Sequence, residues 1–103
     1  MTATAVTTRT YPHTTVIVLR GDIDETGTSR LRHTLVEMLM HRRPRRIVVD
    51  LARATALDPT AIGVLRAAQD SAPDLDIELD LRRPNEAMTA ELSRQGLAIS
   101  PGR

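Results

Sequence analysis

The stretch 47-IVVDLARATALDPTAIGVL-65 combines a strand pattern with a helix start. Residues 47–51 are almost wholly apolar and β-branched, which is typical of a strand that is buried on both faces and lies centrally in a sheet. Asp58 is a good helix N-cap, and Pro59 suits the first helical position because an N–H there would have no intrahelical partner. We therefore predict a central strand, a connector at 52–57, and a helix that begins at Asp58 and buries Ala61, Ile62, Leu65 and Ala68.

The segment before this stretch predicts a β-hairpin. Residues 5–11 are rich in β-formers, a Pro-His pair interrupts them, and residues 14–20 resume with a stronger apolar run. Gly21 is expected to close the hairpin. Residues 22–28 then read as a polar loop that carries three carboxylates.

A first helix is expected to follow that loop, with Thr28 as its N-cap. The apolar residues behind Thr28 recur at helical spacing and form one stripe of Leu31, Leu35, Met38 and Leu39. Pro44 should stop this helix. The arginines around Pro44, at positions 42, 43, 45 and 46, suit the negative end of a helix and are interpreted in that way rather than as a nucleic-acid site.

The last part of the chain predicts one more strand and one more helix. Residues 75–81 alternate apolar and acidic side chains, as a strand with one wet face does. Pro84 should open a helix that buries Ala87, Met88 and Leu92 and ends at Gly96. The order β-β-α-β-α-β-α predicts an α/β fold in a single domain, 1–103 with its core at about 14–97, built on a mixed sheet of four or five strands flanked by helices.

Composition excludes several classes of site. None of the 103 residues is cysteine, so disulfides, thiol nucleophiles and thiolate zinc sites are absent from the sequence. His33 and His41 are separated by roughly 12 Å along a helix and are too far apart to share an ion. No pairing of nucleophile and base is recognisable. We therefore expect a binding protein rather than an enzyme, with no metal and no cofactor.

Charge and hydropathy point to a protein of the cytoplasm. The formal net charge is only +1, so no strong electrostatic field attracts nucleic acid. Tyr11 is the single aromatic residue, so there is no platform on which bases could stack. The N-terminus lacks the pattern of a signal peptide, and no apolar run approaches the roughly 18 residues of a membrane span. We expect a cytoplasmic localisation, no nucleic-acid partner and no membrane span.

One edge of the predicted sheet collects the polar side chains. In open α/β sheets, working residues gather where the carboxyl ends of strands meet the amino ends of helices. Here that edge brings together the acidic loop, with Asp22 and Asp24, and the helix start at Asp58 and Thr60.

Several segments together resemble the STAS family, the sulfate transporter and anti-sigma-factor antagonist domain. They are 18-VLRGDID-24, the helix with Leu31 and Leu35, 47-IVVDLARATALD-58, 62-IGVL-65 and 96-GL-97. The resemblance extends from about Thr14 to Leu97, with Gly21, Asp24, Asp50, Asp58 and Gly63 at the relative spacing of the family.

The resemblance implies a phosphorylation switch. In bacterial antagonists of this family the loop before the second helix reads Asp-Ser-Ser/Thr-Gly, and an anti-sigma factor that is also a kinase phosphorylates the second hydroxyl. By position that hydroxyl is Thr60, whereas Pro59 replaces a Ser, Ala61 replaces a Gly, and Gly27 stands where Thr or Asn is usual.

The family resemblance therefore implies an anti-sigma-factor antagonist. Its partner would be an anti-sigma factor that is a serine/threonine kinase of the histidine-kinase-like ATPase type. Phosphorylation at Thr60 would switch the antagonist off, and the expected partner-binding residues are Asp22, Asp24, Asp58, Thr60 and Ile62.

A second interpretation stays open beside the first. Because Pro59 and Ala61 stiffen the loop, the chain could instead be a STAS docking subunit that is never phosphorylated. Such a subunit would stabilise a larger complex, either a stress-signalling assembly or the ATPase of a lipid transporter. A small nucleotide-binding or nucleic-acid-binding module is a third reading.

Overall fold

The computed structural model describes residues 5–100, so the ends of the predicted domain 1–103 lie outside the described residues. Its elements follow the predicted order: β1 (Val6–Thr10), β2 (Thr14–Ile23), α1 (Glu25–Glu37), a π-helical turn (Met38–Arg42), β3 (Arg46–Leu57), α2 (Pro59–Ser71), a 3-10 turn (Ala72–Leu75), β4 (Glu78–Arg82) and α3 (Glu86–Arg94).

The strands form one four-stranded mixed sheet in the order β1-β2-β3-β4. β1 pairs antiparallel with β2, while β2, β3 and β4 are mutually parallel. The predicted hairpin and the central position of residues 47–51 are both confirmed, because β3 lies between β2 and β4. Parallel strands need crossovers, and α1 and α2 supply them.

All three helices pack on the same face of this sheet. Ile17, Leu19, Val49 and Leu51 alternate along β2 and β3 and belong to one core cluster with the buried residues of α1, α2 and α3. The intervening positions of the same strands point to the opposite face. Val18 and Val48 from that face are buried but lie outside the cluster. We call the face without helices the open face.

The first helix begins earlier than predicted. Its N-cap is Asp24, whose carboxylate accepts the Gly27 N–H at 3.1 Å, so the assignment of Thr28 as cap was wrong. Thr28 lies inside α1 and is buried. Asp24 is the cap because β2 continues to Ile23 and leaves no loop for residues 22–28.

Two strands are longer than the sequence suggested. Residues 52–57 are not a connector, since β3 pairs with β2 up to Leu57 opposite Ile23. Register shifts interrupt the pairing, and Gly21 has a φ of 68°, a conformation in which a glycine carries no penalty. Gly21 therefore sits within a continuing strand instead of ending a hairpin.

The remaining helices largely match their predictions. α2 buries Ala61, Ile62, Leu65 and Ala68, as its pattern indicated. α3 buries Met88 and Leu92, but Ala87 is exposed, so its predicted burial was wrong. β4 starts at Glu78 because the chain first makes the 3-10 turn, which ends at Asp76 in a left-handed conformation.

We expect the stability of the fold to depend on the core between the sheet and the helices. Leu51 is fully buried in that core, so Leu51→Ala should lower the free energy of unfolding by about 2–5 kcal/mol through lost apolar burial and a cavity. The matched control is Val36→Ala on the outer side of α1, where the side chain is 49% exposed and the change should be within about 0.5 kcal/mol. Urea unfolding measures both, and similar effects at the two sites would contradict this placement of the core.

Candidate functional site

The polar edge of the sheet is built around one backbone hydrogen bond. The Asp58 N–H donates to the Ile23 carbonyl at 2.9 Å, and it joins the end of β2 to the start of α2. Because α1 begins directly after β2, this bond places the N-termini of α1 and α2 side by side. The edge predicted from the sequence therefore exists, and two helix starts form it.

The start of α2 presents Thr60 to solvent. The Asp58 carboxylate caps the helix by accepting the Thr60 N–H at 3.4 Å, and Pro59 occupies the first turn, as predicted. Thr60 is exposed, whereas the next residue, Ala61, is fully buried. A single side-chain hydroxyl is thus displayed within one turn of a helix N-terminus, where the partial positive charge of the helix favours anions.

Thr60 faces a groove between the two helices. This groove of about 360 Å³ is lined by Glu25, Thr28, Ser29, Arg32, Asp58 and Thr60. The α1 residues of the groove share one side of that helix because they are spaced three and four apart. The groove therefore offers one cation and two carboxylates to any group on Thr60.

Asp22 and Asp24 occupy different places from Thr60. Asp24 is exposed, and its carboxylate is engaged in capping α1. Asp22 pairs with Ala56 in the β2–β3 ladder and is also exposed. Neither residue lines the groove, so the α1 carboxylate beside Thr60 is Glu25.

Arg32 and Glu25 are the groove residues that sequence reasoning missed. Their signal was present, since Glu25, Ser29 and Arg32 follow helical spacing from an N-cap at Asp24. With Thr28 taken as the cap, Glu25 appeared to lie in a loop and the helix face could not be assigned. Thr28 itself is 3% exposed, and its hydroxyl has no hydrogen-bond partner in the part of the chain that the structure describes.

A second groove, of about 400 Å³, lies beside the first turns of α2. It is lined by Leu57, Pro59, Ile62, Gly63, Arg66, Glu91 and Gln95. Ile62 is 8% exposed and mostly packs in the core, so it offers a partner only an edge of its side chain. Glu91 and Gln95 form the wall of this groove opposite α2. Arg66 of α2 donates a hydrogen bond to the Gln95 carbonyl at 2.9 Å and so links the two walls. Hydrogen bonds from Gln95 and Arg94 lower the pKa of Glu91, which lines the same groove.

Gly63 is the unusual residue of this second groove. Glycine inside a helix costs about 1 kcal/mol relative to alanine, and the close approach of another backbone is a common structural reason for it. A Cβ at Gly63 would meet no atom within 4 Å, so no close approach within the described structure accounts for the glycine. Gly63 instead leaves an exposed recess on α2.

Among residues 5–100, no three His, Cys, Asp or Glu side chains are grouped closely enough to hold a metal ion. No helix in the same range is long and apolar enough to cross a membrane.

A family model described as "Mlab, STAS domain" matches residues 6–99. No curated protein is significantly similar in sequence. The fold is similar to that of the anti-sigma factor antagonist SpoIIAA in its unphosphorylated form, with a TM-score of 0.80, 16% identity, and coverage of 96% of this chain and 90% of SpoIIAA.

Two further solved structures have a similar fold. The phosphorylated form of SpoIIAA, a Bacillus cell fate determinant, gives a TM-score of 0.78 at 18% identity, with 90% of this chain and 85% of that chain covered. A variant of RsbS from Moorella thermoacetica gives 0.79 at 16% identity, with 95% and 85% covered. At such identities the likeness establishes the fold alone.

The two neighbouring aspartates allow a direct test of the cap at α1. Asp24→Ala should destabilise the protein by about 1 kcal/mol because the Gly27 N–H loses its acceptor. Asp24→Asn should retain most of the stability, since Asn also caps helices. The control is Asp22→Ala, an exposed carboxylate without a capping role, with an expected change within about 0.5 kcal/mol. Equal losses for Asp22→Ala and Asp24→Ala in thermal or urea unfolding would contradict the cap.

Proposed function

Because the chain belongs to the STAS domain family, we propose that it is an anti-sigma-factor antagonist that binds a kinase-type anti-sigma factor and is released when Thr60 is phosphorylated. The observation that carries this proposal is the exposed Thr60 hydroxyl at the start of α2, beside a groove that contains both signs of charge. The likeness to SpoIIAA, an antagonist with phosphorylated and unphosphorylated forms, gives further support.

A phosphate on Thr60 would be compatible with the fold. The helix N-terminus favours negative charge by about 0.3–1 kcal/mol at an exposed position, and Arg32 across the groove adds an attraction. The modified protein should therefore stay folded. Release of a partner must come from the surface rather than from unfolding.

The same phosphate would weaken docking at this edge. Glu25 and Asp58 line the groove and repel added negative charge, and each repulsion costs roughly 1.4 kcal/mol per unit charge at about 6 Å and an effective dielectric near 40. Arg32 offsets about one of these two repulsions. A partner that covers the groove would retain the other, which corresponds to about tenfold in affinity for each unit of added charge.

A second function is favoured by Pro59 and Ala61. Pro59 fixes the first turn of α2, and Ala61 is fully buried, so the Thr60 segment is held more tightly than a loop that a kinase must reshape. A docking subunit that is never phosphorylated could use the same edge and the adjoining groove. The description of the matching family model, "Mlab, STAS domain", is compatible with this second function.

Substitutions at Thr60 discriminate the two functions. We expect immobilised wild type and Thr60→Val to retain from a native lysate a histidine-kinase-like ATPase that mass spectrometry identifies. Thr60→Glu should retain it about tenfold less, by the electrostatic argument above. Incubating the eluted complex with ATP should add one phosphate to Thr60 in the wild type.

The control for added charge is Ser71→Glu, at the exposed far end of the same helix, which should capture as the wild type does. Circular dichroism should show that the variants are folded. Capture of a transporter ATPase that is indifferent to Thr60→Glu, with no phosphate on Thr60, would reject the antagonist and favour the docking subunit.

Gly63 provides a test in which stability and binding change in opposite directions. Gly63→Ala should stabilise α2 by about 0.5–1 kcal/mol because its methyl group meets open space. If the partner's backbone packs into the recess, the same methyl group should weaken capture. The control Ala67→Gly changes helix propensity at an exposed α2 position outside both grooves, so it should lower stability and leave capture unchanged. Undiminished capture by Gly63→Ala would remove the second groove from the interface.

A further inference from the structure

The open face of the sheet has an uneven distribution of charge. Six arginines and three carboxylates project from it or fold over it, although the whole chain has a net charge of only +1. The arginines are Arg9, Arg20, Arg46, Arg53, Arg82 and Arg83, and the carboxylates are Asp50, Glu78 and Asp80. The positive excess of the protein is therefore concentrated where no helix covers the sheet.

The half of the open face formed by β3 and β4 is internally neutralised. Arg46 pairs with Glu78 at 2.9 Å and with Asp80 at 3.5 Å, and Arg82 pairs with Asp80 at 3.4 Å. The hydrogen bond and the attraction of Glu78 raise the pKa of Arg46. These ion pairs satisfy one another and leave little attraction for an external anion.

Both carboxylate oxygens of Asp50 also have partners within the protein. One of its oxygens accepts the Ala52 N–H at 3.0 Å, and the other binds Arg83 at 2.6 Å. Arg83 has a φ of 58°, a strained value for an arginine, and the bond to Asp50 holds its side chain over the sheet. Asp50 is therefore not available to neutralise the arginines on the other side.

The other half of the open face, formed by β1, β2 and the part of β3 that carries Arg53, has cations without internal partners. Between Ala5 and Ser100, no carboxylate lies within 4.0 Å of the guanidinium groups of Arg9, Arg20 or Arg53. These three arginines line a groove of about 590 Å³ together with Val16, Val18, Ala52 and the ion pair of Asp50 with Arg83. Tyr11, which is 51% exposed, also lines it.

We propose that the groove lined by Arg9, Arg20 and Arg53 on the open face binds an acidic segment of a partner protein, with carboxylates on these three arginines and apolar side chains on Val16 and Tyr11. Charge complementarity carries the proposal, and the apolar floor selects a segment that mixes acidic and apolar residues. The site is separate from the Thr60 edge and does not depend on the function proposed for that edge.

The same features disfavour the other polyanions. A nucleic acid would need a platform on which successive bases stack, and Tyr11 alone cannot provide one. A flat lipid surface would not reach valines on the floor of a groove. A peptide can place its carboxylates only where the arginines are.

The test uses a fluorescein-labelled decapeptide of alternating glutamate and valine, with a glutamine-valine decapeptide as the uncharged control. At 50 mM salt, fluorescence anisotropy should show that the acidic peptide binds and the uncharged peptide does not. Binding should weaken more than tenfold at 500 mM salt because exposed ion pairs are screened. Arg20→Gln and Arg53→Gln should each weaken it about three- to fivefold. The control Arg30→Gln removes the same charge from an exposed position of α1 and should leave peptide binding unchanged.

Peptide titration followed by amide NMR shifts should map the contact to residues 14–20 and 46–53. The proposal is overturned if the uncharged peptide binds equally well or if Arg30→Gln weakens binding as much as Arg53→Gln. Tighter binding of a ten-nucleotide thymidine strand, or of vesicles containing phosphatidylglycerol, would assign the face to nucleic acid or to a lipid surface instead. Shifts confined to the helices would also overturn it. None of these readouts involves Thr60, so the two proposals can fail separately.

Discussion

The hydrogen bond from the Asp58 N–H to the Ile23 carbonyl is the contact on which the arrangement of this protein depends. It extends the pairing of two parallel strands up to the residue before each helix, so α1 and α2 must begin at the same edge. The two caps, Asp24 and Asp58, follow from that pairing, as does the groove between the helices. Local sequence explains each helix start, whereas their proximity is a property of the sheet.

The sequence identified α2 well because its signals agree with one another. Asp58, Pro59 and the apolar spacing behind them predict the same start and the same buried side, and both were found. For α1 the signals competed, since Asp24 and Thr28 are both acceptable caps. Asp24 is the cap because β2 pairs with β3 up to Ile23, which lies opposite Leu57. These two residues are far apart in the sequence, so the local pattern does not reveal their pairing. The error about the cap hid Glu25 and Arg32, which face Thr60 across the groove.

The open face lay beyond sequence reasoning for a different reason. Strand periodicity separates the two faces of a strand, but it does not tell which face receives the helices when valines occupy both. Val16, Val18 and Val48 are as apolar as the residues of the core, and only the structure shows that they lie on the side without helices. The pairing of Arg83 with Asp50 was equally hidden, because 33 residues separate the two side chains in the chain. The fold therefore divides the surface into an acidic edge and a basic face, and strands β2 and β3 contribute to both.

The shared direction of α1 and α2 has an electrostatic consequence of its own. Two helices that point the same way and pack against each other place like ends of their macrodipoles together, which is an unfavourable arrangement. Asp24, Glu25 and Asp58 sit at those ends and partly compensate the repulsion. Acidity at this end of the molecule thus stabilises the architecture, by about 0.3–1 kcal/mol for each exposed carboxylate, before it serves any recognition.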